Sequence, residues 1–290
     1  MSSLDPARPL PANRMRSKSS IDLFTGAYSL ARRAKLLQAS WFRNAFVASY
    51  FLYKKLYEDP FWVLAQQRPE LFANGDVLDV GANIGYTASV FSRALKPGSK
   101  VYAFEPDRSS YDLLVEVIRR KSLTTVEALN MAVGSSNGYL EFWHNQEHSA
   151  DHRVVTEQFK SSRPDAKEFS KVAVTTVDAF VRSHDLEKIS FIKIDVQGYE
   201  LAVCEGMKDT LERFPALFVC FEYSPEGMAE LGFDPKKLLE FFRGRGYQLH
   251  VLTRGAIRLA NDPAALQPFL DRAGYVDLLC AKTVLTSGGA

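Results

Sequence analysis

The chain has 290 residues, of which 46% are hydrophobic and 24% charged, so it can bury the core of one large α/β domain with an extension, or of two small domains. Its formal net charge of +2 gives no reason to expect nucleic acid as the main partner. It contains no uninterrupted apolar run of about 18 residues, so no transmembrane helix is predicted.

The first part of the chain predicts two segments. Residues 1–20 are polar and contain proline, which indicates a flexible arm and not a secretory signal. Residues 21–73 predict a helical N-terminal extension. Its aromatic stretch, residues 40–57, allows three interpretations: a helix packed on the rest of the chain, which we favour, an amphipathic helix on a membrane surface, or a homodimer surface.

The third part, residues 74–290, alternates apolar strands with helices of roughly 10–15 residues, a pattern typical of α/β proteins with a doubly wound, mostly parallel sheet. Strands that are apolar throughout, such as FVCF, indicate a sheet that is covered on both faces. The predicted strands are 76–80, 100–105, 124–133, 139–144, the start of 172–181, 190–196, 216–223, 248–252 and 275–282. Residues 145–170 are polar and predict a long loop.

The three cysteines, Cys204, Cys220 and Cys280, are far apart and show no CxxC spacing. We therefore expect neither a disulfide framework nor a zinc site made from them, and a reducing, cytoplasmic setting fits. Each is expected to be a small buried hydrophobe.

The stretch DVGANIG, residues 79–85, lies between a predicted strand and a predicted helix. In open α/β sheets, ligands bind outside the carboxyl ends of the strands. Gly81 and Gly85 would let the backbone approach a ligand that a Cβ atom would repel, and the first amides of the helix point to the same place. The Asp79 carboxylate would repel a pyrophosphate, but it suits a cation such as the amino group of S-adenosylmethionine.

The next strand ends in Glu105, where an acid in such folds accepts hydrogen bonds from a ribose diol. A dinucleotide site would require GxGxxG, whereas the pattern here is D-x-G-x-x-x-G. The sequence therefore favours an S-adenosylmethionine site over a nicotinamide-dependent oxidoreductase. Taken singly, Asp79 is also compatible with a turn acid and Glu105 with an acid that opens a helix.

Four stretches carry more information than spacing alone: VLDVGANIGYTASVFSR, VYAFEPD, NMAVG and FIKIDVQGYELAVCEGM. They resemble the FkbM-type methyltransferases over about residues 74–252, with Gln197 where the family often has Glu. The resemblance implies a class I methyltransferase fold with a mostly parallel seven-stranded sheet. It also implies S-adenosylmethionine as cofactor and O-methylation of a sugar, glycan or secondary metabolite.

The family motifs suggest further cofactor-binding residues. Asn130 matches an N-x-A motif and, with Ala132, is expected to flank the adenine. Asn83 is expected near the methionine moiety, although an asparagine that tolerates a left-handed turn explains it equally well. Asp195 lies in the IKID motif and is a candidate for the same site.

Methyl transfer to a hydroxyl requires alignment of the reacting groups and help in removing the proton. Asp195 is the leading candidate for a base, an acid that orients the acceptor or a metal ligand, and a helix cap is the alternative. Glu222 ends the strand ALFVCFEY and should emerge at the same edge. The two carboxylates would form a pair of hard oxygen ligands for a divalent cation such as magnesium.

The segment HNQEHSADH contains His144, His148 and His152 at a spacing of four. On a helix they would share one face and could bind zinc or iron, but the composition favours a loop, so we do not expect a metal site made of the three alone. His148 is kept as a candidate catalytic base or acceptor contact.

One function of a different class stays open at this point. The chain could be a non-catalytic binding module on a methyltransferase fold, associated with a membrane through residues 40–57. The joint presence of Asp79, Gly81, Gly85, Glu105 and Asp195 favours catalysis.

Overall fold

The computed structural model describes residues 40–144, 152–164, 166–167 and 169–285. Its strands are β1 (Asp76–Val80), β2 (Val101–Phe104), β3 (Val126–Leu129), β4 (Ala132–Val133), β5 (Gly138–Trp143), β6 (Arg153–Val154), β7 (Phe169–Thr175), β8 (Ile189–Ile194), β9 (Phe218–Tyr223), β10 (Gln248–Thr253), β11 (Ala256–Leu259) and β12 (Val276–Ala281). Its α-helices are α1 (Ser40–Tyr53), α2 (Phe61–Gln67), α3 (Tyr86–Ala94), α4 (Arg108–Arg120), α5 (Glu157–Ser162), α6 (Val177–Ser183), α7 (Glu200–Glu205), α8 (Lys208–Arg213), α9 (Pro225–Glu230), α10 (Pro235–Arg243) and α11 (Gln267–Ala273). A π-helical turn (Lys54–Glu58) and two 3-10 turns (Pro69–Phe72 and Pro263–Leu266) lie between them.

The large sheet has the strand order β11-β10-β12-β9-β8-β1-β2-β3, and β12 and β11 run antiparallel to the other strands. The order reverses between β1 and β8, so the topological switch point lies there. The parallel strands, with antiparallel β12 inserted between β9 and β10, have the arrangement of class I methyltransferases, and the predicted fold class is confirmed. The sheet has eight strands and not seven, because a turn at Gly255, with φ of 89°, folds β11 back onto β10.

Part of the chain forms a second, four-stranded sheet with the order β4-β7-β5-β6, which the sequence did not predict. The predicted strand 124–133 is wrong as a single element, because it divides between β3 in the large sheet and β4 in the second sheet.

The predicted loop 145–170 contains β6 and α5 among its described residues. Thr156 caps α5, since its Oγ1 accepts a hydrogen bond from the Phe159 amide at 3.1 Å, and the Phe159 side chain is fully buried.

The part of the N-terminal extension nearest to β1 packs on one face of the large sheet through aromatic rings. The rings of Phe61, Phe72, Phe91 and Phe191 have centroid separations of 4.7 to 6.3 Å, in stacked, tilted and edge-to-face pairs. Such pairs add to the stabilisation that burial of the rings gives. The hydrophobic core is therefore continuous across residue 73, and the predicted domain boundary at that point stays a prediction.

Among the described residues, helix α1 and the π-helical turn after it pack on the rest of the chain on one side and carry exposed leucines on the other. The Phe51 ring is buried and contacts the Tyr86 ring edge to face at 5.4 Å, whereas Leu52 and Leu56 are exposed. This is the arrangement expected of a packed helix, and the membrane-surface and homodimer interpretations stay predictions. Among the described helices, none is long and apolar enough to cross a membrane.

The three cysteines are buried and their thiols are free, as the sequence predicts. Burial raises the pKa of each thiol well above its ordinary value, so the thiolate form is disfavoured.

Candidate active site

The turn after β1 is fixed by its neighbours. Gly81, Asn83 and Gly85 all have left-handed backbone, with φ of 80°, 48° and 85°. A Cβ atom on Gly81 would lie 1.9 Å from the Asp195 carbonyl oxygen, and one on Gly85 would lie 2.5 Å from the Leu114 side chain. The positive φ favours glycine at both positions, and at Gly81 the Asp195 backbone leaves no room for a Cβ atom, so the turn packs directly on the exit of β8 at the carboxyl edge of the sheet.

The Glu105 carboxylate joins the end of β2 to this turn. One of its oxygens, Oε2, accepts a hydrogen bond from the Asn83 amide at 2.8 Å, and Oε1 accepts one from the Asp107 amide at 2.9 Å. Burial raises the pKa of Glu105 to about 8, a shift that the Asp107 charge reinforces and the two amide hydrogen bonds oppose. Each oxygen keeps a second lone pair, so the group can still accept two further hydrogen bonds.

The two predicted adenine-flanking residues differ in position. The Asn130 side-chain amide donates hydrogen bonds to the carbonyl oxygens of Glu105, at 2.9 Å, and Pro106, at 3.1 Å. It therefore fixes the backbone that carries Glu105. Ala132 is buried in β4 of the second sheet, where it pairs with Val174. Their contact with adenine stays a prediction.

A buried ammonium group occupies the switch point. The Nζ atom of Lys193, on β8, donates a hydrogen bond to the Gly81 carbonyl at 3.0 Å. It lies 3.2 Å from an Asp195 oxygen and 3.6 Å from Asp79 Oδ1. Burial acts to lower the pKa of Lys193, but the Asp195 and Asp79 carboxylates outweigh burial and raise it. The lysine is therefore charged and holds the ends of β1 and β8 together.

Asp79 is fully buried beneath the turn. Its Oδ2 accepts a hydrogen bond from the Thr87 hydroxyl at 2.6 Å, which links β1 to the first turn of α3. Its Oδ1 accepts no hydrogen bond from the described residues. Burial raises the pKa of Asp79, and the Lys193 charge opposes this rise.

Asp195 and Glu222 lie at the same edge, bridged by a glutamine. The Gln197 side-chain amide donates to Asp195 Oδ1 at 2.9 Å and lies 3.5 Å from Glu222 Oε1. The Asp195 side chain is 34% exposed, and although burial acts to raise its pKa, the Lys193 charge and the Gln197 hydrogen bond hold it below the ordinary value. Burial raises the pKa of Glu222 well above its ordinary value, and the Asp195 and Asp277 charges add to this rise. The pair thus consists of an ionised carboxylate and a carboxyl that keeps its proton to higher pH.

Several contributors to this edge were not found from the sequence. Gln197 was noted only as a departure from the family pattern, and its φ of 54° turns its side chain back toward the strand ends. Asp277 lies opposite Glu222 in the register of β12 and β9, and burial together with the Asp195 charge raises its pKa to about 7. The sequence feature that could have indicated Asp277 is its position as the single acid within the otherwise apolar strand VDLLCA.

The structure describes Glu200, at the start of α7, but not the predicted His148. Glu200 accepts hydrogen bonds from the amides of Val196 and Gly198, so it stabilises the turn between β8 and α7. His148 lies outside the described residues, and its catalytic role stays a prediction.

The chain is similar in sequence to known methyltransferases. The profile of the Methyltransferase FkbM domain matches residues 79–249. Over 141 residues the chain is 32% identical to the hexuronic acid methyltransferase AglP of Haloferax volcanii, a match that covers 47% of the chain and 52% of that protein. Over 163 residues it is 26% identical to the 2-O-methyltransferase NoeI of Sinorhizobium fredii, covering 53% of the chain and 65% of that protein. The match to AglP thus spans about half of that relative's length.

Among solved structures, the methyltransferase FkbM from Methylobacillus flagellatus KT is similar, with a TM-score of 0.46 and 16% identity. The superposition covers 82% of the chain and 52% of that protein.

Replacing Lys193 by methionine removes the buried cation and keeps the length of the side chain. We expect the free energy of unfolding to fall by about 3–5 kcal/mol near pH 7, because Asp79 stays buried without its charge partner. The loss should become smaller as the pH falls. Without Lys193, the buried Asp79 takes up a proton at a higher pH in the folded state than in the unfolded state, and this uptake stabilises the folded state. Urea unfolding at two pH values measures both effects.

The matched control is Lys100→Met, which removes an exposed ammonium that pairs with Glu127. It should leave the urea midpoint almost unchanged. A Lys193→Met variant that unfolds at the same urea concentration as the wild type would show that the buried ammonium does not hold the strand ends together.

Replacing Glu105 by glutamine should change how stability depends on pH. The folded-state pKa of Glu105 is raised to about 8, so the folded chain binds more protons than the unfolded chain above the ordinary glutamate pKa. The wild type therefore loses the contribution of protonated Glu105 to the free energy of unfolding as the pH rises towards 8. In the variant, the slope of unfolding free energy against pH should be more positive by up to about 1.4 kcal/mol per pH unit in this range.

Urea titrations at several pH values measure the slope, and Glu212→Gln, at an exposed position, is the control. Equal slopes for the wild type and Glu105→Gln would show that Glu105 is already ionised in the folded state.

Proposed function

The chain belongs to the FkbM methyltransferase family, and we propose that it is an S-adenosylmethionine-dependent O-methyltransferase that acts on a hydroxyl group of a small molecule or glycan. The observation that carries the proposal is the buried Glu105 carboxylate, which is tied to the left-handed turn after β1 and has lone pairs to spare. A ribose diol would donate two hydrogen bonds to this group and favour its ionised form.

The residues of the turn fit the rest of such a cofactor. Asp79 Oδ1 is buried, accepts no hydrogen bond from the described residues and has the Lys193 ammonium as a cation 3.6 Å away. An amino group at the turn would supply the missing donor. The cofactor, when bound, supplies a methyl group that its sulfonium already activates, so the chain must align the acceptor and handle one proton.

Asp195 and Glu222 are suited to different parts of that task. We assign Asp195, which is partly exposed and ionised, to accept a hydrogen bond from the acceptor hydroxyl and orient it. Glu222 has the higher pKa and, in its ionised form, is the stronger proton acceptor of the two, so we assign it as the general base. Gln197 donates to both groups and keeps them at a fixed separation.

The proposed class of acceptor is based on similar proteins. One is named a hexuronic acid methyltransferase and another a 2-O-methyltransferase. We propose a sugar hydroxyl, free or within a glycan, as the first class to test. A divalent cation between Asp195 and Glu222 stays a prediction, because in the structure both Asp195 oxygens face nitrogen atoms, those of Lys193 and Gln197.

The first test is calorimetric binding of S-adenosylhomocysteine to the wild type and to Glu105→Ala. We expect binding by the wild type, at least about tenfold weaker binding by the variant because two charge-assisted hydrogen bonds are lost, and no binding of NADH. Glu127→Ala, at the edge strand β3, is the matched control and should bind like the wild type. A folded wild type that does not bind, or equal binding by Glu105→Ala, would overturn the proposed site.

A second test assigns the base. Transfer of a labelled methyl group from S-adenosylmethionine to a panel of sugars, hexuronic acids included, identifies an acceptor. With that acceptor, Glu222→Gln should lower the rate by about 10²–10⁴-fold, the usual contribution of a general base, while its affinity for S-adenosylhomocysteine stays unchanged. A rate close to that of the wild type would remove Glu222 from the mechanism.

A further inference from the structure

A cluster of two histidines and an aspartate lies next to Glu105, at the carboxyl edge of the large sheet. It has no part in the function proposed above. Asp107 follows β2, two residues after Glu105, while His144 directly follows β5 and His152 directly precedes β6. The cluster therefore joins the large sheet to the second sheet. One ligand-type atom from each of the three residues lies within 4.8 Å of the other two.

The geometry is close to that of a metal centre. His144 Nδ1 lies 2.8 Å from Asp107 Oδ2, and His152 Nε2 lies 3.7 Å from Asp107 Oδ1. Nitrogen and oxygen ligands at about 2.1 Å from a tetrahedral ion lie about 3.4 Å from each other. The two separations, which involve different oxygens of Asp107, lie on either side of this value. The Asp107 and His152 side chains are only 3% and 7% exposed, and that of His144 is 22% exposed.

We propose that Asp107, His144 and His152 bind a divalent transition-metal ion, with Zn²⁺ as the ion of first choice. Two imidazoles and one carboxylate are a donor set for zinc and its neighbours, whereas magnesium and calcium take oxygen ligands. Three protein ligands leave a fourth position for water or another small ligand.

The Ser170 hydroxyl lies where a metal-bound histidine needs a hydrogen-bond acceptor for its second ring nitrogen. His144 Nε2 lies 2.6 Å from Ser170 Oγ, on β7. With a metal on Nδ1, the Nε2–H group donates to this oxygen, and that hydrogen bond fixes the tautomer and the ring orientation. Without a metal, Nδ1–H donates to Asp107 and the serine hydroxyl donates to Nε2 instead. The serine serves both states because a hydroxyl is donor and acceptor.

Asp107 can bind the ion and keep its structural role. Its Oδ1 accepts hydrogen bonds from the Ser110 amide at 2.8 Å and the Ser109 hydroxyl at 2.6 Å, which caps α4. The His144 contact is made by the other oxygen, Oδ2, whose lone pairs are the ones that an ion would take. A bound ion would fix both ends of the segment between β5 and β6 next to Glu105.

The test uses the full-length chain without a histidine tag, freed of metal with a chelator that is then removed. Titration with ZnCl₂ in a calorimeter should show one ion per chain, and Co²⁺ should give the intense visible absorption of a four-coordinate site. His144→Ala and His152→Ala should each weaken zinc binding by at least about tenfold, and Ser170→Ala by a smaller factor. Mg²⁺ should not compete.

The matched control is His184→Ala, because the His184 ring stacks on Phe180 in another part of the fold. It should bind zinc like the wild type. Equal zinc binding by the wild type and the His144→Ala/His152→Ala double variant, with both folded by circular dichroism, would overturn the proposal. S-Adenosylhomocysteine binding is measured on the same samples, so failure of the zinc site is distinguishable from failure of the cofactor site.

Discussion

The structure of the carboxyl edge depends on one buried cation. Lys193 lies on β8 with its ammonium between the carboxylates of Asp79 and Asp195, and it also donates to the Gly81 carbonyl. A lone buried ammonium would be too costly, and so would the buried Asp79 carboxylate without a cation. Together they form a compact ion group that joins the strands on both sides of the switch point, and the glycine turn is built on it.

This cation, together with burial, also separates the pKa values of Asp195 and of the acids farther along the edge. Asp195 lies nearest to Lys193 and has a lowered pKa, whereas Glu222 and Asp277 lie farther along the sheet and have raised ones. Separated pKa values in neighbouring carboxyls are the usual basis for distinct catalytic roles. Lys193 thus lowers the pKa of Asp195 while burial raises that of Glu222, so two chemically similar groups differ in pKa.

Much of the fold and of the turn after β1 could be predicted from the sequence, because the sequence patterns that indicate them are local. A strand, an acid and two spaced glycines predict the turn, and the alternation of strands and helices predicts the parallel sheet. The division of 124–133 between two sheets was missed because the break at Asn130 has no glycine or proline, and pairing with β7 depends on residues about forty positions away. The bridge by Gln197 was missed for a related reason, since its left-handed backbone is seen only in the folded chain.

The close contact between Gly81 and the Asp195 carbonyl has a consequence for how such proteins diversify. Because the turn after β1 rests directly on the backbone of the β8 exit, a change in one displaces the other. The turn after β1 and the exit of β8 therefore form one rigid unit that tolerates little independent variation. New acceptor preferences would have to arise in parts that do not share this contact, such as the second sheet and the N-terminal helices, which can be remodelled while the edge stays constant.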